Sequence, residues 1–308
     1  MGAATLVAGG LQVAGVALAP ILPGTVQTVK ARLQGRRGTS PLQPYRELRR
    51  LWAKSVVQPA DSGRVYLMAP AVVAAAAAAG LMIVPVAGEA PRWPLGDDAL
   101  VLVGLLVLSR FAITAATWDT GSGFALMGAA RDLMIAVFLE GLLALVVLLA
   151  ALPAGGTDLR LMSAASAGSG VWGEPSHWCA MLAFALVVVC ETGRQPVDNP
   201  DTHLELTMIH EGPLLEYAGR DLAYLQWAAA ARHWLMLLLG AGLFLPHWGP
   251  FWVRLALLIL ALPLFAAALA VNETWQAKMR LIRVPRLLGA GVLVALLGLA
   301  GWILGGGS

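Results

Sequence analysis

Eight long apolar runs constrain the fold of this chain more strongly than any other feature of its sequence. Hydrophobic residues make up 58% of the 308 residues and charged residues only 13%, against about 25% charged residues in an ordinary soluble domain. So much apolar surface exceeds what one core in water can bury, so lipid must solvate much of it. The composition therefore excludes a soluble enzyme, a disordered chain and a collagen, and it argues against a nucleic-acid partner.

The runs are long enough to cross a hydrocarbon core about 30 Å thick as helices. The sequence therefore predicts an all-α, polytopic membrane protein with eight transmembrane helices in one membrane domain over residues 1–308. We expect the first run to be retained, because no Lys or Arg precedes it as in a signal peptide. The predicted spans are residues 3–29, 67–87, 99–117, 132–152, 176–191, 221–245, 250–271 and 287–305.

Basic residues are distributed unevenly among the predicted loops. Sixteen of the 21 Lys and Arg residues lie in the odd-numbered loops, whereas the even-numbered loops hold only Arg92 and Arg160. Cytoplasmic loops carry an excess of basic residues. The pattern therefore predicts that the odd-numbered loops are cytoplasmic and that both termini lie outside.

Loop 1, residues 30–66, contains a predicted cytoplasmic amphipathic helix over residues 41–56, with Pro44 in its first turn. A basic amphipathic segment beside a membrane is most often found at headgroup level. The alternative is a docking surface or the lining of a site, and the loop residues leave both interpretations open. The candidate docking residues are Arg37, Arg46, Arg49, Arg50 and Lys54.

Charged residues inside the predicted spans are costly, at least about 2.5 kcal/mol each on insertion scales. Arg110 in span 3 and Glu140 in span 4 have similar predicted depths, so they are candidates for an ion pair. The pair has two interpretations, a structural contact that fixes helix register or a buried protonatable site. Arg232, near the middle of span 6, requires an anionic partner.

The predicted loop 5 is unusually acidic for a cytoplasmic loop. Residues 191–221 hold seven of the 18 carboxylates, and apolar residues are interspersed among them. We therefore expect this segment to fold back into the protein, either as a salt-bridge network with Arg194 and Arg220 or as a group of carboxylates that exchange protons near neutral pH. Residues 202–205, Thr-His-Leu-Glu, form a capping box that predicts a short helix.

The sequence predicts no redox centre or metal site of its own. It contains no C-x-x-C, H-E-x-x-H or G-x-x-x-x-G-K pattern. Cys179 and Cys190 would lie about 16 Å apart along one helix, too far for a disulfide. His203 and His210 are seven residues apart, which matches no strong zinc pattern. Any redox chemistry therefore requires a partner.

The acidic segment carries a family resemblance. Residues 191–198 (ETGRQPVD), the pairs at 205–206 (EL) and 210–211 (HE), and residues 216–219 (EYAG) resemble the signature of the NADH dehydrogenase subunit 1 family. This is the membrane subunit of respiratory complex I that joins its redox arm to its proton-pumping arm. The resemblance extends to residues 123–131 (GFALMGAAR), Glu140, the basic helix in loop 1 and the number of spans, so it covers nearly the whole chain.

Three further segments resemble one branch of that family, the corresponding subunit of formate hydrogenlyase, hydrogenase-4 and other group 4 membrane-bound nickel–iron hydrogenases. They are residues 37–45 (RGTSPLQPY), 198–206 (DNPDTHLEL) and 278–285 (KMRLIRVP). In complex I, loop 1 and the acidic loop line the quinone chamber. Because this chain departs from complex I in both loops, the resemblance leaves quinone binding open.

The resemblance implies a non-catalytic coupling subunit in the inner (plasma) membrane of a prokaryote. The implied partners are hydrogenase-like large and small subunits, iron–sulfur subunits and antiporter-like membrane subunits, in addition to the lipid bilayer. The nickel–iron centre and the iron–sulfur clusters are expected in those partners, with no cofactor bound by this chain. Electron transfer in the docked module would then be coupled to proton or sodium translocation.

The resemblance also implies roles for particular residues. The carboxylates of the acidic loop would form the entry of a charge path, and Glu140 would carry charge toward the membrane interior. The expected path consists of Glu140, Glu191, Asp198, Glu205, Glu211 and Glu216. The expected charge partners are Arg110, Arg131, Arg194, Arg220 and Arg232.

Three other functions remain as alternatives at this point. One is the quinone-site subunit of a complex I-type NADH dehydrogenase. Another is a stand-alone ion transporter, although transporters usually contain internal repeats with broken helices, and residues 1–150 and 151–308 show no such symmetry. A third is a structural anchor in which the carboxylates only hold helices together.

Overall fold

The chain folds into a bundle of α-helices, in agreement with the predicted all-α class. A computed structural model describes residues 2–60, 62–91, 96–198 and 209–305. It is 75% helical, and the described residues form two isolated β-bridges but no strand. The helices are α1 (Ala3–Leu18), α2 (Ile21–Leu33), α3 (Gln43–Trp52), α4 (Arg64–Ile83), α5 (Ala99–Thr120), α6 (Gly123–Ala151), α7 (Leu159–Ala165), α8 (Ser169–Gly173), α9 (Pro175–Glu191), α10 (Gly219–Phe244), α11 (Phe251–Trp275) and α12 (Val284–Leu304).

The helices identify a multi-pass membrane protein, but they do not confirm the predicted count of eight spans. Within the parts of the chain that the structure describes, six helices are long and apolar enough to cross a membrane: α4, α5, α6, α10, α11 and the helix that contains α12. The bent pair of α1 and α2 counts as a seventh if it is one span. Helix α9 has only 17 residues and falls in a shorter class.

The first predicted span is broken by prolines. Helices α1 and α2 meet at an angle of 58°, with Pro20 immediately before α2 and Pro23 in its first turn. Proline lacks the backbone N–H that continues a helix, and its ring clashes with the preceding turn. The apolar run at residues 3–29 therefore forms two helices instead of the single straight one predicted from its hydropathy.

The third predicted loop is almost entirely helical. Helix α5 extends to Thr120 and α6 begins at Gly123, nine residues before the predicted start of span 4. Only Gly121 and Ser122 connect them, and Gly121 has a φ of +64°, which glycine adopts without steric cost. Arg131 and its neighbour Asp132 therefore lie on a helix packed against α5 and α9, not in a loop.

The connections gather at two ends of the bundle. The loop end comprises residues 34–60, 62–63, 121–122, 192–198, 209–218 and 276–283. At this end, Met279 N donates to the Pro196 carbonyl at 2.8 Å, and Ser122 Oγ lies 2.5 Å from Glu216 Oε1. These stretches correspond to the predicted odd-numbered loops. The opposite end joins residues 84–91, 96–98, 152–174 and 245–250, for example through the bridge between Asp98 and Asp158.

The predicted amphipathic helix in loop 1 is present as α3, although it is shorter than residues 41–56. Leu42 and Ala53 flank it, and Pro44 lies in its first turn. The Tyr45 hydroxyl donates to the Ala17 carbonyl, and α3 also packs against α2 and α10. Loop 1 is therefore part of the bundle at the loop end and not a free linker.

Candidate functional site

Arg110 is the centre of a buried charge cluster between α5, α6 and α9. Its side chain is 4% exposed. Nη1 lies 2.8 Å from Glu140 Oε1, Nη2 lies 2.8 Å from Glu191 Oε2, and Nε lies 3.2 Å from Asp132 Oδ2. One guanidinium thus contacts three carboxylates from two other helices. Its planar fork of donors suits this arrangement, which the single ammonium of a lysine cannot reproduce.

Glu191 connects this cluster to α10. Its side chain is 3% exposed, and its second oxygen, Oε1, lies 3.6 Å from Arg232 Nη1. Arg232 therefore has the anionic partner that its depth in the predicted span requires, and the partner belongs to the acidic segment 191–221. Two arginines from different helices neutralise one buried carboxylate.

The cluster continues from Asp132 toward the loop end through His210. Asp132 Oδ1 lies 3.7 Å from His210 Nε2, and His210 Nδ1 lies 3.4 Å from Asp198 Oδ2. The other oxygen of Asp198 accepts from Lys278 Nζ at 2.8 Å. Asp198 also accepts from the backbone N–H groups of Ile209 and His210, each at 3.3 Å. These contacts connect Lys278 to Arg110 through alternating charges.

The surroundings shift the pKa values of the two groups nearest the loop end. Burial alone would lower the pKa of His210, but its hydrogen bond to Asp198 and the negative charge of Asp132 raise it above the usual value. Burial would raise the pKa of Asp198, but hydrogen bonds from His210 and Lys278 lower it well below its usual range. Both pKa shifts therefore favour the charged forms of His210 and Asp198, which stabilises their contact.

The described contacts of this cluster join four carboxylates, those of Asp132, Glu140, Glu191 and Asp198, to three cations, Arg110, Arg232 and Lys278. Protonation of His210 adds a positive charge between Asp198 and Asp132. Because an uncompensated charge is costly in a buried site, these two carboxylates favour the charged form of His210.

A second charged cluster joins α2, α11 and the end of α9. Glu273, whose side chain is 1% exposed, lies 2.8 Å from Arg194 Nη1 and 3.1 Å from Lys30 Nζ. Arg194 Nη2 lies 3.5 Å from His233 Nδ1. Among the described residues, Arg194 is therefore a charge partner of Glu273 on α11 and not of a carboxylate in its own loop. The turn at residues 192–194, with Gly193 at φ +62°, directs the arginine to α11 instead.

Segment 209–218 is held against α4, α5 and α6. Tyr66 and Tyr217 stack with ring centroids 4.3 Å apart, Tyr66 Oη donates to the Glu216 carbonyl at 2.7 Å, and Ser122 Oγ donates to the Glu216 carboxylate. Burial raises the pKa of Tyr217, so this phenol stays neutral. These contacts confirm that the part of the acidic loop that is described folds back into the protein.

Gly128 determines how closely this segment approaches α6. A Cβ at Gly128 would lie 2.8 Å from the Cα of Gly212 and 2.9 Å from Cδ of Pro213. Such distances leave no room for a side chain, so two glycines bring the backbones of α6 and the segment together. This contact lies one turn before Asp132, the residue that faces His210.

A cavity of about 600 Å³ adjoins both charge clusters at the loop end. It lies between α2, α3, the segment 192–198, the segment 209–217 and α10. Its wall includes Glu47, Arg194, Asp198, His210 and His233. The cavity therefore brings His210 of the first cluster and Arg194 of the second cluster to one shared space.

The remaining predicted site residues occupy several environments. Glu211 is half-buried on the cavity wall, and Arg131 is half-buried on α6. Arg220 is exposed at the start of α10, and it joins none of the ion pairs among the described residues. Glu205, His203 and the predicted capping box at 202–205 lie outside the described residues. The candidate docking residues Arg37, Arg46, Arg49, Arg50 and Lys54 are all exposed.

Four residues of the clusters were not singled out as candidates from the sequence. Asp132 lies at the boundary that hydropathy predicts between loop 3 and span 4. The other three residues lie near helix ends, where charged residues are common: Lys278, Lys30 and Glu273. The one sequence signal for Asp132 is the helical periodicity that begins at Gly123, because it places Asp132 within a helix and not at its start. His210 was considered only as a metal ligand. Among the described residues, no group of three or more His, Cys, Asp or Glu side chains is arranged to hold a metal ion.

Comparison with known proteins identifies the class of this membrane protein. The NADH dehydrogenase family model matches residues 7–303. The chain therefore belongs to the NADH dehydrogenase family. It is 31% identical over 292 residues to formate hydrogenlyase subunit 4 of Escherichia coli, covering 89% of this chain and 91% of the relative. It is 30% identical over 296 residues to hydrogenase-4 component C of Escherichia coli, covering 94% of this chain and 92% of that relative.

More distant similarities agree with this membership. The chain is 27% identical over 229 residues to an NADH-quinone oxidoreductase subunit of Salinibacter ruber, covering 69% of this chain and 66% of that protein. The fold matches a chain of the membrane-bound sulfane sulfur reductase, an archaeal respiratory membrane complex, with a TM-score of 0.78 and 20% identity. That match covers 96% of this chain and 98% of the other and shows a shared fold. The family and the branch named from the sequence motifs are thereby confirmed.

Proposed function

We propose that this chain is the membrane-anchor and coupling subunit of a multisubunit redox complex of the formate hydrogenlyase or group 4 hydrogenase type. In this proposal it links electron transfer in a docked soluble module to translocation of protons or sodium ions. The inner membrane of a prokaryote, with the loop end in the cytoplasm, is the proposed setting. The relatives named as hydrogenase-4 and formate hydrogenlyase components support this class.

One observation carries the proposal: the continuous contacts from Lys278 at the loop end to Glu140 within α6. Successive steps pass through Asp198, His210, Asp132 and Arg110, and the longest is the 3.7 Å between His210 and Asp132. A purely structural salt bridge requires no such sequence of groups, and ionisable side chains at membrane depth usually mark ion pathways.

His210 is proposed as the entry of the path, because it lines the cavity and contacts both Asp198 and Asp132. A proton held on His210 passes to Asp132 after a small side-chain movement or through one water molecule, since 3.7 Å exceeds a direct hydrogen bond. Protonation of Asp132 weakens its contact with Arg110, whose guanidinium keeps its own proton and moves toward Glu140 and Glu191. The proton released by His210 then resides on Asp132, and the guanidinium charge shifts toward Glu140 while it stays paired with two carboxylates.

The exposed basic residues of loop 1 are proposed to dock the soluble module. Arg37 precedes α3, and Arg46 and Arg50 lie one turn apart on its exposed face. Electrostatic attraction of this kind sets the rate and orientation of docking more than its final affinity. The proposed partners are hydrogenase-like and iron–sulfur subunits, which would hold the metal centres, together with antiporter-like membrane subunits. Glu211, Glu216 and Glu205 are proposed as further carboxylates at the entry.

Purification of the tagged chain from its native membrane in mild detergent tests this function. We expect redox-active chains with iron–sulfur and nickel centres to co-purify. We also expect the reconstituted assembly, when it is supplied with an electron donor, either to acidify the vesicles or to load them with sodium ions. A proton uncoupler and a sodium ionophore distinguish the two ions. A chain that purifies alone and transports ions without a redox partner would contradict the proposal.

A further inference from the structure

An open apolar groove lies beside the loop-end cavity, on the outer surface of α4 and α10. Its volume is about 500 Å³, within the range of about 300–1,000 Å³ typical of ligand sites. Ala71, Ala75 and Ala78 of α4 form its floor, and Trp52 and Trp227 belong to its walls. The small alanine side chains create the depth, while the aromatic rings border it.

The groove is preformed by contacts of its walls. The Trp227 indole Nε1 donates to the Val16 carbonyl on α1 at 3.0 Å, which fixes the orientation of this ring. Trp52 of α3 meets Tyr224 of α10 edge to face, with ring centroids 5.2 Å apart. Trp52 and Tyr224 are nevertheless 52% and 38% exposed. Amphipathic aromatic side chains of this kind concentrate at the headgroup level of membranes.

The depth of the groove matches one leaflet of a bilayer. Ala71 and Ala78 lie four and eleven residues after residue 67, where the apolar run begins, which corresponds to about 6 and 16 Å along the helix. Half of a hydrocarbon core is about 15 Å thick. The groove therefore runs from the membrane surface to about the middle of the bilayer, as an acyl chain does.

Exposed basic residues lie at the mouth of the groove. Arg49 precedes Trp52 by three residues on α3, and Arg220 precedes Tyr224 by four on α10, so each lies one turn from a wall residue. Lys54 lies close to Arg220, because a Cβ on the neighbouring Gly219 would sit 2.9 Å from the Lys54 carbonyl oxygen. All three basic side chains are exposed.

We infer that this groove binds an anionic phospholipid, with an acyl chain against Ala71, Ala75 and Ala78 and the headgroup phosphate at Arg49, Lys54 and Arg220. Charge complementarity selects this occupant over a zwitterionic lipid, because basic residues near a membrane surface attract anionic headgroups. The bound lipid fixes α3 at headgroup level. Of the candidate docking residues, Arg49 and Lys54 then contact lipid, whereas Arg46 and Arg50 lie about 120° and 160° around α3 from Trp52, at 100° per residue, and stay available to the soluble module.

Photolabelling of the intact assembly in phosphatidylcholine vesicles tests the inference. One sample carries a trace of photoactivatable phosphatidylglycerol and a matched sample carries photoactivatable phosphatidylcholine. We expect phosphatidylglycerol to label peptides that contain residues 48–52 and 223–227 several-fold more than phosphatidylcholine does. Removal of one basic residue should lower that preference by at most about fivefold, the ratio equivalent to about 1 kcal/mol.

Two sets of variants separate a specific site from general contact with lipid. The double substitution R49Q/K54Q should bring phosphatidylglycerol labelling close to the phosphatidylcholine level, whereas R46Q/R50Q, which removes two charges further around α3 from Trp52, should lower it much less. The Ala75→Leu substitution fills the groove at an exposed position and should reduce labelling by both lipids in a normally assembled complex. Equal labelling by the two lipids, equal effects of both double substitutions, or a partner chain cross-linked in the groove would each overturn the inference.

Discussion

Arg110 and Glu191 are 81 residues apart in the sequence, yet Arg110 Nη2 lies 2.8 Å from Glu191 Oε2 in the buried centre of the bundle. This bond joins α5 to the last residue of α9, where the acidic segment begins. The same guanidinium also contacts Glu140 and Asp132 on α6. One guanidinium therefore joins the start of the acidic segment to two carboxylates of α6.

Replacement of Arg110 by Gln should destabilise the protein strongly. It leaves three carboxylates without their shared cation, and removal of one partner from a buried ion pair typically costs about 3–5 kcal/mol. The double substitution R110Q/E191Q should recover part of this loss, because it also removes one of the uncompensated charges. Thermal unfolding of the purified assembly measures both effects. Equal stability of wild type and Arg110→Gln would show that the cluster is not tightly coupled to the fold.

The contact between segment 209–218 and α6 should weaken at alkaline pH. The pKa of His210 is raised in the folded protein, so its charge stabilises the contact fully below the usual pKa and is lost as the pH rises through the raised value. Asp198 has a lowered pKa, so its contribution is lost only at acidic pH. Asp132, Lys278, Arg110 and Glu191 provide the surrounding charges.

Amide hydrogen exchange of peptides within residues 209–218 measures this contact. After correction for the intrinsic pH dependence of exchange, wild type should lose protection between neutral and alkaline pH. A His210→Gln variant should show low protection at both pH values. A wild-type protection that does not change with pH would contradict the assignment of His210 as the titrating group.

Gly128→Ala should displace the acidic segment from α6. The new Cβ would meet Gly212 and Pro213 at 2.8–2.9 Å, and such overpacking typically costs about 1–3 kcal/mol. Gly141→Ala provides a matched control on the same helix, since a Cβ there has nothing within 4 Å. Hydrogen exchange of residues 209–218 should increase for Gly128→Ala and remain unchanged for Gly141→Ala. Equal exchange in the two variants would contradict the close contact.

Glu273→Gln should destabilise the protein more than Lys30→Met. Glu273 contacts both Lys30 and Arg194, so its neutralisation removes the anion shared by two cations, whereas loss of Lys30 preserves the 2.8 Å pair with Arg194. We expect a larger decrease in the thermal midpoint for Glu273→Gln. The opposite order would show that Lys30 and not Arg194 is the principal partner of Glu273.

Much of this arrangement was predictable from local sequence. Hydropathy indicated the membrane helices, the equal depth of Arg110 and Glu140 indicated their contact, and the apolar residues within the acidic loop indicated that it folds back. These inferences depend on composition and helical rise, which a sequence supplies directly. The docking, coupling and charge-path roles of the predicted residues stay predictions.

Other features depended on tertiary contacts or on short-range backbone chemistry. Hydropathy treats residues 3–29 as one run, although Pro20 and Pro23 divide it into two helices. The partner choice of Arg194 depends on α11, nearly 80 residues further along the chain. The place of Asp132 in the buried cluster depends on the start of α6 at Gly123, which hydropathy does not predict. No periodicity within one segment encodes such pairings, because they arise from packing between helices.

Ion translocation per electron by the reconstituted assembly tests the coupling role most directly, when wild type is compared with Glu140→Gln. Glu174→Gln serves as the control, because Glu174 lies at the opposite end, before α9. We predict that Glu140→Gln assembles and transfers electrons but no longer moves protons or sodium, while Glu174→Gln behaves as wild type. An unchanged ion-to-electron ratio in assembled Glu140→Gln would contradict the charge path through Arg110 and Glu140.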